Sequence, residues 1–422
     1  MARKKGGMQG GLDELTVQLP RQLLRQLLVD KLDKQGVKIK RRTLETIVES
    51  ILADGGSGNF EIEIDDGALE GVALDFSDEE IADFDRTTQI FLKDELPRII
   101  VEAAEESAAS IGRTLRRDWP ERRAFELAEE TGFRSRLELR WGKAFALLHI
   151  LLTASRELGD ELHTKRRRAK RNMHRTEVLI RLHARACQVM AEMLTLLEAG
   201  FADGAMARWR TMYEIGVVAT IIADNGDELA ERYLLHDVAE AKRGMDMYVR
   251  SYEALGYEAP SPEEIAEIDV AAASLEARFG AGFGSGYGWA AKLLNNKNPQ
   301  FSHLEEASGK AKMRSHYKLA SHNVHAGVKG ITHRLGAMGT ETVILAGPSN
   351  GGLAEPGQNA AITLTQITFA LLTDRRSLDD IVFMHVLAKL QNDAVNAFVR
   401  ASEKLKRDHN RVIAAKARRR KK

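Results

Sequence analysis

The chain has 422 residues, 44% of them apolar and 29% charged, which is an ordinary composition for a folded globular protein. Its net charge of +1 excludes a global electrostatic field that would draw the whole molecule onto nucleic acid. The single cysteine, Cys187, excludes an internal disulfide and favours a reducing compartment, so we expect a cytoplasmic protein. The longest strongly apolar run, 215–223, is too short to span a bilayer, and the polar start predicts no secretory signal, so we expect no membrane contact.

Residues 1–75 are predicted to form a small accessory α+β region. Apolar spacing predicts helices over 12–34 and 43–53, and the alternation of apolar and acidic residues in Phe60–Ile64 predicts a strand. We interpret this region either as an accessory domain or as an arm for self-association. Residues 76–160 are predicted to be connecting helices, the first of which opens at the capping sequence Ser77–Glu80, is interrupted near Pro97 and ends at Trp119-Pro120.

Residues 165–412 are predicted to form the main helical bundle, followed by a basic tail over 413–422. The helix over 205–223 is apolar almost all round, which places it at the bundle centre. Gly280–Gly288 is dense in glycine, follows no strand and predicts a flexible connector or lid. Residues 310–335 are predicted to be one helix. The predicted fold class is therefore all-α, an antiparallel helical bundle with a small α+β N-terminal extension.

Two separated segments place ionisable side chains inside apolar helical patterns, namely Arg208–Glu214 and Ser315–Gly327. Together they resemble an uncharacterised bacterial helical family that is known only as a domain of unknown function. The residues that match its pattern are Arg210, Glu214, Ser321 and His325, and the similarity covers about 170–400. The resemblance implies no activity, because the family has no established one.

Arg210, Glu214 and His325 are the candidate catalytic residues. Arg210 and Glu214 are four residues apart, so they share a helix face, either as a structural ion pair or as the lining of a cleft. His325 is expected to meet Glu214 across the core. Arg314, Lys318, Ser321 and His322 would support this site as a polar face. Because carboxylates are missing after Glu306, that face suits an anionic ligand better than a metal, and we expect neither a metal nor a cofactor.

A basic run near residue 165 is the candidate phosphate-binding element. The run comprises Lys165, Arg166, Arg167, Arg168, Lys170 and Arg171. Such runs are either solvated helix faces or contacts for phosphate groups. Helical-bundle ribonucleases of prokaryotic defence systems use an Arg and a His with four to six residues between them, and this chain departs from that pattern in its core helices.

Two functional hypotheses follow. The first is a nucleic-acid-associated protein that binds or cleaves RNA in defence or stress response, with RNA or DNA as its partner. The second is a non-enzymatic helical scaffold that self-associates or binds another protein. Under both hypotheses we expect a homo-oligomer.

Overall fold

A computed structural model describes residues 8–53, 74–166, 172–337, 344–372 and 377–420, with the backbone alone for 8–17, 166 and 420. These residues form helices, turns and loops and no β-strand, so the all-α prediction is confirmed for the described part of the chain. The predicted strand Phe60–Ile64 lies outside the described residues. None of the helices in these ranges combines the length and apolarity needed to cross a membrane.

Twelve α-helices are described, and the chain divides into a unit of residues 1–125 and a unit of residues 126–422. The helices are α1 (Met8–Lys34), α2 (Arg41–Ala53), α3 (Asp78–Ile90), α4 (Leu96–Arg166), α5 (Met173–Glu198), α6 (Ala202–Leu255), α7 (Pro262–Phe279), α8 (Phe301–Ala307), α9 (Arg314–Ser321), α10 (Val328–Thr332), α11 (Ala354–Leu371) and α12 (Leu378–Arg420). A π-helical turn, Phe91–Glu95, leads into α4. The basic C-terminal segment is therefore the end of α12 as far as Arg420.

The first unit has its own small core between α1 and α2. Leu28 and Ile47 are almost fully buried there, and both lie on the apolar faces that the sequence spacing predicts. Ser77 caps α3 by accepting the Glu80 amide, and the Glu80 carboxylate accepts the Ser77 amide at 2.9 Å. The predicted capping box is thus confirmed.

The second unit has one large core, built by the C-terminal part of α4 with α5, α6, α11 and α12. Trp141, Trp209 and Phe398 fill its centre and are almost fully buried. Buried indoles need a partner for their N–H group. Trp209 Nε1 donates to Thr363 Oγ1 at 3.0 Å, and Trp141 Nε1 donates to Asn350 Oδ1 at 2.9 Å. These bonds fix α6 against α11 and α4 against the loop that precedes α11.

The predicted end of the helix at Trp119-Pro120 is wrong, because α4 continues through Pro120. A proline within a helix removes one N–H group and leaves the carbonyl four residues earlier without its usual partner. That carbonyl belongs to Arg116, and both Arg116 and Pro120 are exposed, so water can satisfy it.

Helix α6 breaks where the sequence predicts, at Gly226, whose φ of 81° favours glycine. Asp227, directly after the break, accepts the Arg175 amide at 2.8 Å and lies 3.1 Å from His174 Nδ1. The Arg175 guanidinium bonds to the Ala223 carbonyl. One carboxylate and one guanidinium therefore join the start of α5 to the break in α6.

The expectation of a flexible connector at Gly280–Gly288 is wrong, because side chains of α6 bind this segment. His236 Nε2 donates to the Ser285 carbonyl at 2.9 Å, and Arg243 donates to the Gly284 carbonyl at 2.7 Å. Phe283 is buried, with the Arg232 guanidinium 5.6 Å from its ring centre. Two of the glycines allow close backbone packing, since a Cβ at Gly282 would lie 2.6 Å from the Lys297 carbonyl oxygen and one at Gly288 would lie 2.0 Å from the Phe283 carbonyl oxygen. A glycine-rich sequence does not distinguish such packing from flexibility.

Gly357→Ala is expected to destabilise the second unit by about 1–3 kcal/mol. A Cβ at Gly357 would lie 2.3 Å from the Phe398 ring, which is fully buried and cannot move aside freely. Gly244→Ala is the matched control. Gly244 is an exposed position of α6 where a Cβ would meet nothing within 4 Å. Alanine favours the helix there, so this substitution should stabilise the protein by up to about 1 kcal/mol. Chemical unfolding measures both, and equal effects of the two substitutions would contradict the close packing of α11 on α12.

Stability is expected to fall below neutral pH because of His183, whose pKa burial lowers to about 4. The unfolded chain takes up a proton near pH 6.5 while the folded protein does not, so the contribution is complete above pH 6.5 and is lost as the pH falls towards 4. Between pH 7 and pH 5 this loss amounts to about 2 kcal/mol.

The comparison of wild type with His183→Gln isolates this contribution. Burial also lowers the pKa of His236, but that residue is present in both proteins. Unfolding free energies measured at pH 7 and pH 5 should fall less in His183→Gln, and parallel decreases in the two proteins would exclude a neutral buried imidazole.

Candidate functional site

Arg210 and Glu214 meet on one face of α6, and a tyrosine from α9 joins them. The Arg210 guanidinium lies 3.3 Å from Glu214 Oε1 and donates to the Tyr317 hydroxyl at 2.9 Å. Tyr317 in turn donates to Glu214 Oε1 at 2.7 Å. All three side chains are half-buried, so the hydrogen bonds are protected from solvent only in part.

Aromatic rings surround this triad and exclude water from its inner side. The Tyr317 ring centre lies 5.6 Å from that of Tyr213 and 5.0 Å from that of Phe301, and the Arg210 guanidinium lies 5.0 Å from it. Tyr287 is also half-buried beside Phe301, with ring centres 6.2 Å apart. Burial and the hydrogen bond to Glu214 raise the pKa of Tyr317 to about 12, so its hydroxyl keeps its proton at neutral pH.

Glu305, which lies deeper than the triad, is fully buried and was missed in the sequence analysis. Its carboxylate forms an ion pair with Arg314 of α9, and the Tyr213 hydroxyl lies 3.1 Å from Oε1. Tyr213 also lies 2.9 Å from the Lys310 carbonyl, and burial raises its pKa. A buried carboxylate must be paired, so these contacts hold α8 and α9 against α6.

The predicted helix over 310–335 is wrong, because α9 ends at Ser321 and α10 begins only at Val328. The chain tightens after Ala320, where Asn323 and Val324 donate to carbonyls three residues earlier. Gly330 then lies so close to the His322 carbonyl that a Cβ would be 2.2 Å from its oxygen. A continuous helix cannot bring residues 322 and 330 into contact, and this packing turns α10 back towards the end of α9.

His325 therefore lies in the turn after α9, exposed to solvent. Within the described ranges no hydrogen bond or ion pair connects it to Arg210 or Glu214, so the three proposed catalytic residues do not form one contact network. Arg210, Glu214 and Tyr317 contact one another pairwise, so each side chain of the triad is partnered by the other two. It fits a positioning role between α6 and α9, and the catalytic assignment remains a prediction.

The residues of the predicted polar face have separate roles. Arg314 neutralises Glu305, and Ser321 Oγ donates to the Tyr317 carbonyl at 2.9 Å. Lys318 is exposed, and His322 is half-buried at the end of α9. Only Lys318 and His322 thus remain available to a ligand from this set.

The candidate phosphate-binding run falls mostly outside the described residues. Lys165 is exposed and pairs with Glu161 one helical turn earlier, and Arg166 is the last residue of α4. Residues 167–171 are not described. A phosphate-binding role for the run remains a prediction.

A longer basic segment, residues 307–337, carries cations across α9 and α10 and contains no aspartate or glutamate. Its six cations and four histidines are Lys310, Lys312, Arg314, Lys318, Lys329, Arg334, His316, His322, His325 and His333. The sequence signal was the absence of carboxylates after Glu306, which extends well beyond the face that the helical spacing indicated. Across the residues that the structure describes, no three His, Cys, Asp or Glu side chains cluster as metal ligands.

Residues 176–341 match the family model of DUF5677, a family of unknown function. The matched stretch runs from the first turn of α5 past the end of α10 and includes both the triad and the basic segment. The similarity to an uncharacterised family that the sequence predicts is thus confirmed, over less than half of the chain. Comparison with curated proteins gave no match, and comparison with solved structures gave none.

Arg314→Met is expected to destabilise the protein by about 3–5 kcal/mol, because it leaves the Glu305 carboxylate buried without a countercharge. Arg314→Met combined with Glu305→Gln should recover part of this loss, since the remaining amide carries no charge. Chemical unfolding of both single variants and the double variant measures the coupling. Additive losses would show that the two groups act independently.

Proposed function

We propose that this protein binds the phosphate groups of a nucleic acid through the basic segment, residues 307–337. One observation carries the proposal: this segment contains no carboxylate of its own, and three of its lysines remain exposed and unpaired among the described residues after Arg314, His316 and Arg334 pair with Glu305, Glu355 and Asp203. Lys312, Lys318 and Lys329 are exposed, and no described residue offers any of them an ion pair. Free cations within one short segment are what binding of a phosphate backbone requires.

Basic residues on the same bundle but outside this segment are frequently paired. Arg208 lies 2.6 Å from Glu192, and Lys292 lies 2.8 Å from Glu228. Lys242 lies within 2.7 Å of both Asp246 and Asp269. A neutralised cation releases no counterion when nucleic acid approaches, so these surfaces contribute little to binding. The contrast favours the basic segment although the protein as a whole has a net charge of only +1.

The packing of α9 and α10 supports a single binding surface. The close approach of Gly330 to the His322 and His325 carbonyls brings Lys329 near the two histidines. The Arg210–Glu214–Tyr317 triad fixes α9 against α6 from the inner side. A fixed surface loses less side-chain and backbone entropy on binding than a mobile loop does. The proposal therefore gives the triad a positioning role and His322, His325 and His333 a role as contact residues.

Replacing Lys312, Lys318 and Lys329 together by glutamine is expected to weaken RNA binding by about tenfold or more. It should also reduce the slope of log affinity against log salt by about 2, since each lost phosphate contact to a single strand contributes about 0.7. Fluorescence anisotropy with a labelled single-stranded RNA over a range of salt concentrations measures both quantities. Parallel titrations with duplex DNA and inorganic polyphosphate separate the two nucleic acids from any polyanion.

A matched control replaces three exposed lysines elsewhere, Lys143, Lys389 and Lys404, by glutamine. This variant has the same net charge as the test variant and should bind RNA like wild type. Equal losses of RNA affinity in both variants would show that overall charge, and not the basic segment, determines binding. Absence of salt-dependent RNA binding by wild type would exclude the proposal.

A further inference from the structure

The N-terminal half of α4 is not covered by any of the residues that the structure describes. From Pro97 to Phe125 no residue of this helix is buried, although an isolated helix gains little stability in water. In proteins most helical stability comes from packing an apolar face against another element. A helix that keeps this length and an apolar face is therefore expected to have a partner for that face.

The apolar face of this half forms one continuous stripe. It consists of Val101, Ala104, Ala108, Ile111, Leu115 and Trp119, with spacings of three and four residues. The four large side chains are each about half exposed. This spacing is that of a coiled-coil seam, where alternating three- and four-residue steps keep one stripe towards a neighbouring helix. The two alanines let a second helix approach closely.

Negative charge is concentrated in the first part of this helix and positive charge in the part that follows. From Ile99 to Gly112 the chain has three glutamates, Glu102, Glu105 and Glu106, and no cation. From Arg113 to Arg123 it has five arginines and two carboxylates. One half of the stripe is thus flanked by negative charge and the other half by positive charge, with Ile111 near the boundary.

We propose that the stripe binds the same stripe of a second copy of this chain, with the two helices antiparallel. An antiparallel pair places the acidic half of each helix beside the basic half of the other, with the two-fold axis near Ile111. A parallel pair would place glutamates beside glutamates and arginines beside arginines, which is unfavourable. The sequence is therefore complementary to itself in one orientation only.

The flanks of the stripe support the same orientation at single positions. Glu105 and Arg116 lie on the same side of the stripe, on a helical wheel of 100° per residue. In an antiparallel pair equivalent sides of the two helices face each other, so Glu105 of one copy lies beside Arg116 of the other. A dimer contains this ion pair twice, because the interface is symmetric.

The first test is the mass of the full-length chain in solution, measured by sedimentation equilibrium. Wild type should sediment as twice 46.9 kDa at micromolar concentration. Ile111→Glu combined with Leu115→Glu should weaken association by about 100-fold, because it places four carboxylates in the dimer seam. Leu139→Glu is the control, since Leu139 lies on the same helix, is 87% exposed and is outside the stripe. Circular dichroism checks that each variant keeps its helical content.

The second test determines the orientation. Glu105→Arg and Arg116→Glu should each weaken the dimer by about tenfold, and the double variant should restore it, because the exchanged charges attract again. In a parallel dimer residues 105 and 116 would lie about 16 Å apart along the helix axis, so the two single substitutions would not disrupt a shared ion pair and the double variant would recover nothing. A monomeric wild type, a dimer insensitive to the Ile111/Leu115 substitutions, or a double variant weaker than both single variants would each overturn the proposal. Capture of a different protein by a monomeric wild type would assign the stripe to that partner instead.

Discussion

The buried carboxylate of Glu305 is the constraint that positions the rest of the candidate site. It has no solvent to stabilise its charge, so the protein must supply Arg314 and the Tyr213 hydroxyl. Arg314 is the first residue of α9, and holding it in place also holds Tyr317 one turn later between Arg210 and Glu214. The inner face of α9 is thereby committed to α6, and its cations on the outer face are left to solvent or to a ligand.

The sequence predicts the helical class and the pairing of Arg210 with Glu214, because both depend on local periodicity. It does not predict the end of α9, because that end depends on Gly330 packing on the His322 carbonyl, a contact between residues eight apart. For the same reason the sequence does not predict that His325 lies in the exposed turn after α9 rather than within a helix. Glu305 and Tyr213 were missed because nothing local to α8 or α6 reveals which carboxylate will be buried.

The long helix α4 and the Gly280–Gly288 segment both show that proline and glycine alone do not determine the local structure. Proline and glycine usually mark interruptions, and both rules failed where the surroundings compensated. At Pro120 the exposed backbone can be hydrated, so the helix continues. At Gly284 and Ser285 the carbonyls accept hydrogen bonds from Arg243 and His236, so the segment is fixed to α6. Local propensity thus predicts a tendency, and the availability of donors and acceptors decides the outcome.

The family match ends at residue 341, yet the second unit needs more of the chain than that to fold. Trp209, in the second turn of α6, donates its N–H group to Thr363 of α11, and Phe398 of α12 packs against Gly357 of α11. A polypeptide truncated after α10 would lose these partners and expose a tryptophan and much of the apolar surface of α6 to water. The segment by which the family is recognised is therefore shorter than the unit that can fold cooperatively, and expression of the matched segment alone should give an aggregating polypeptide.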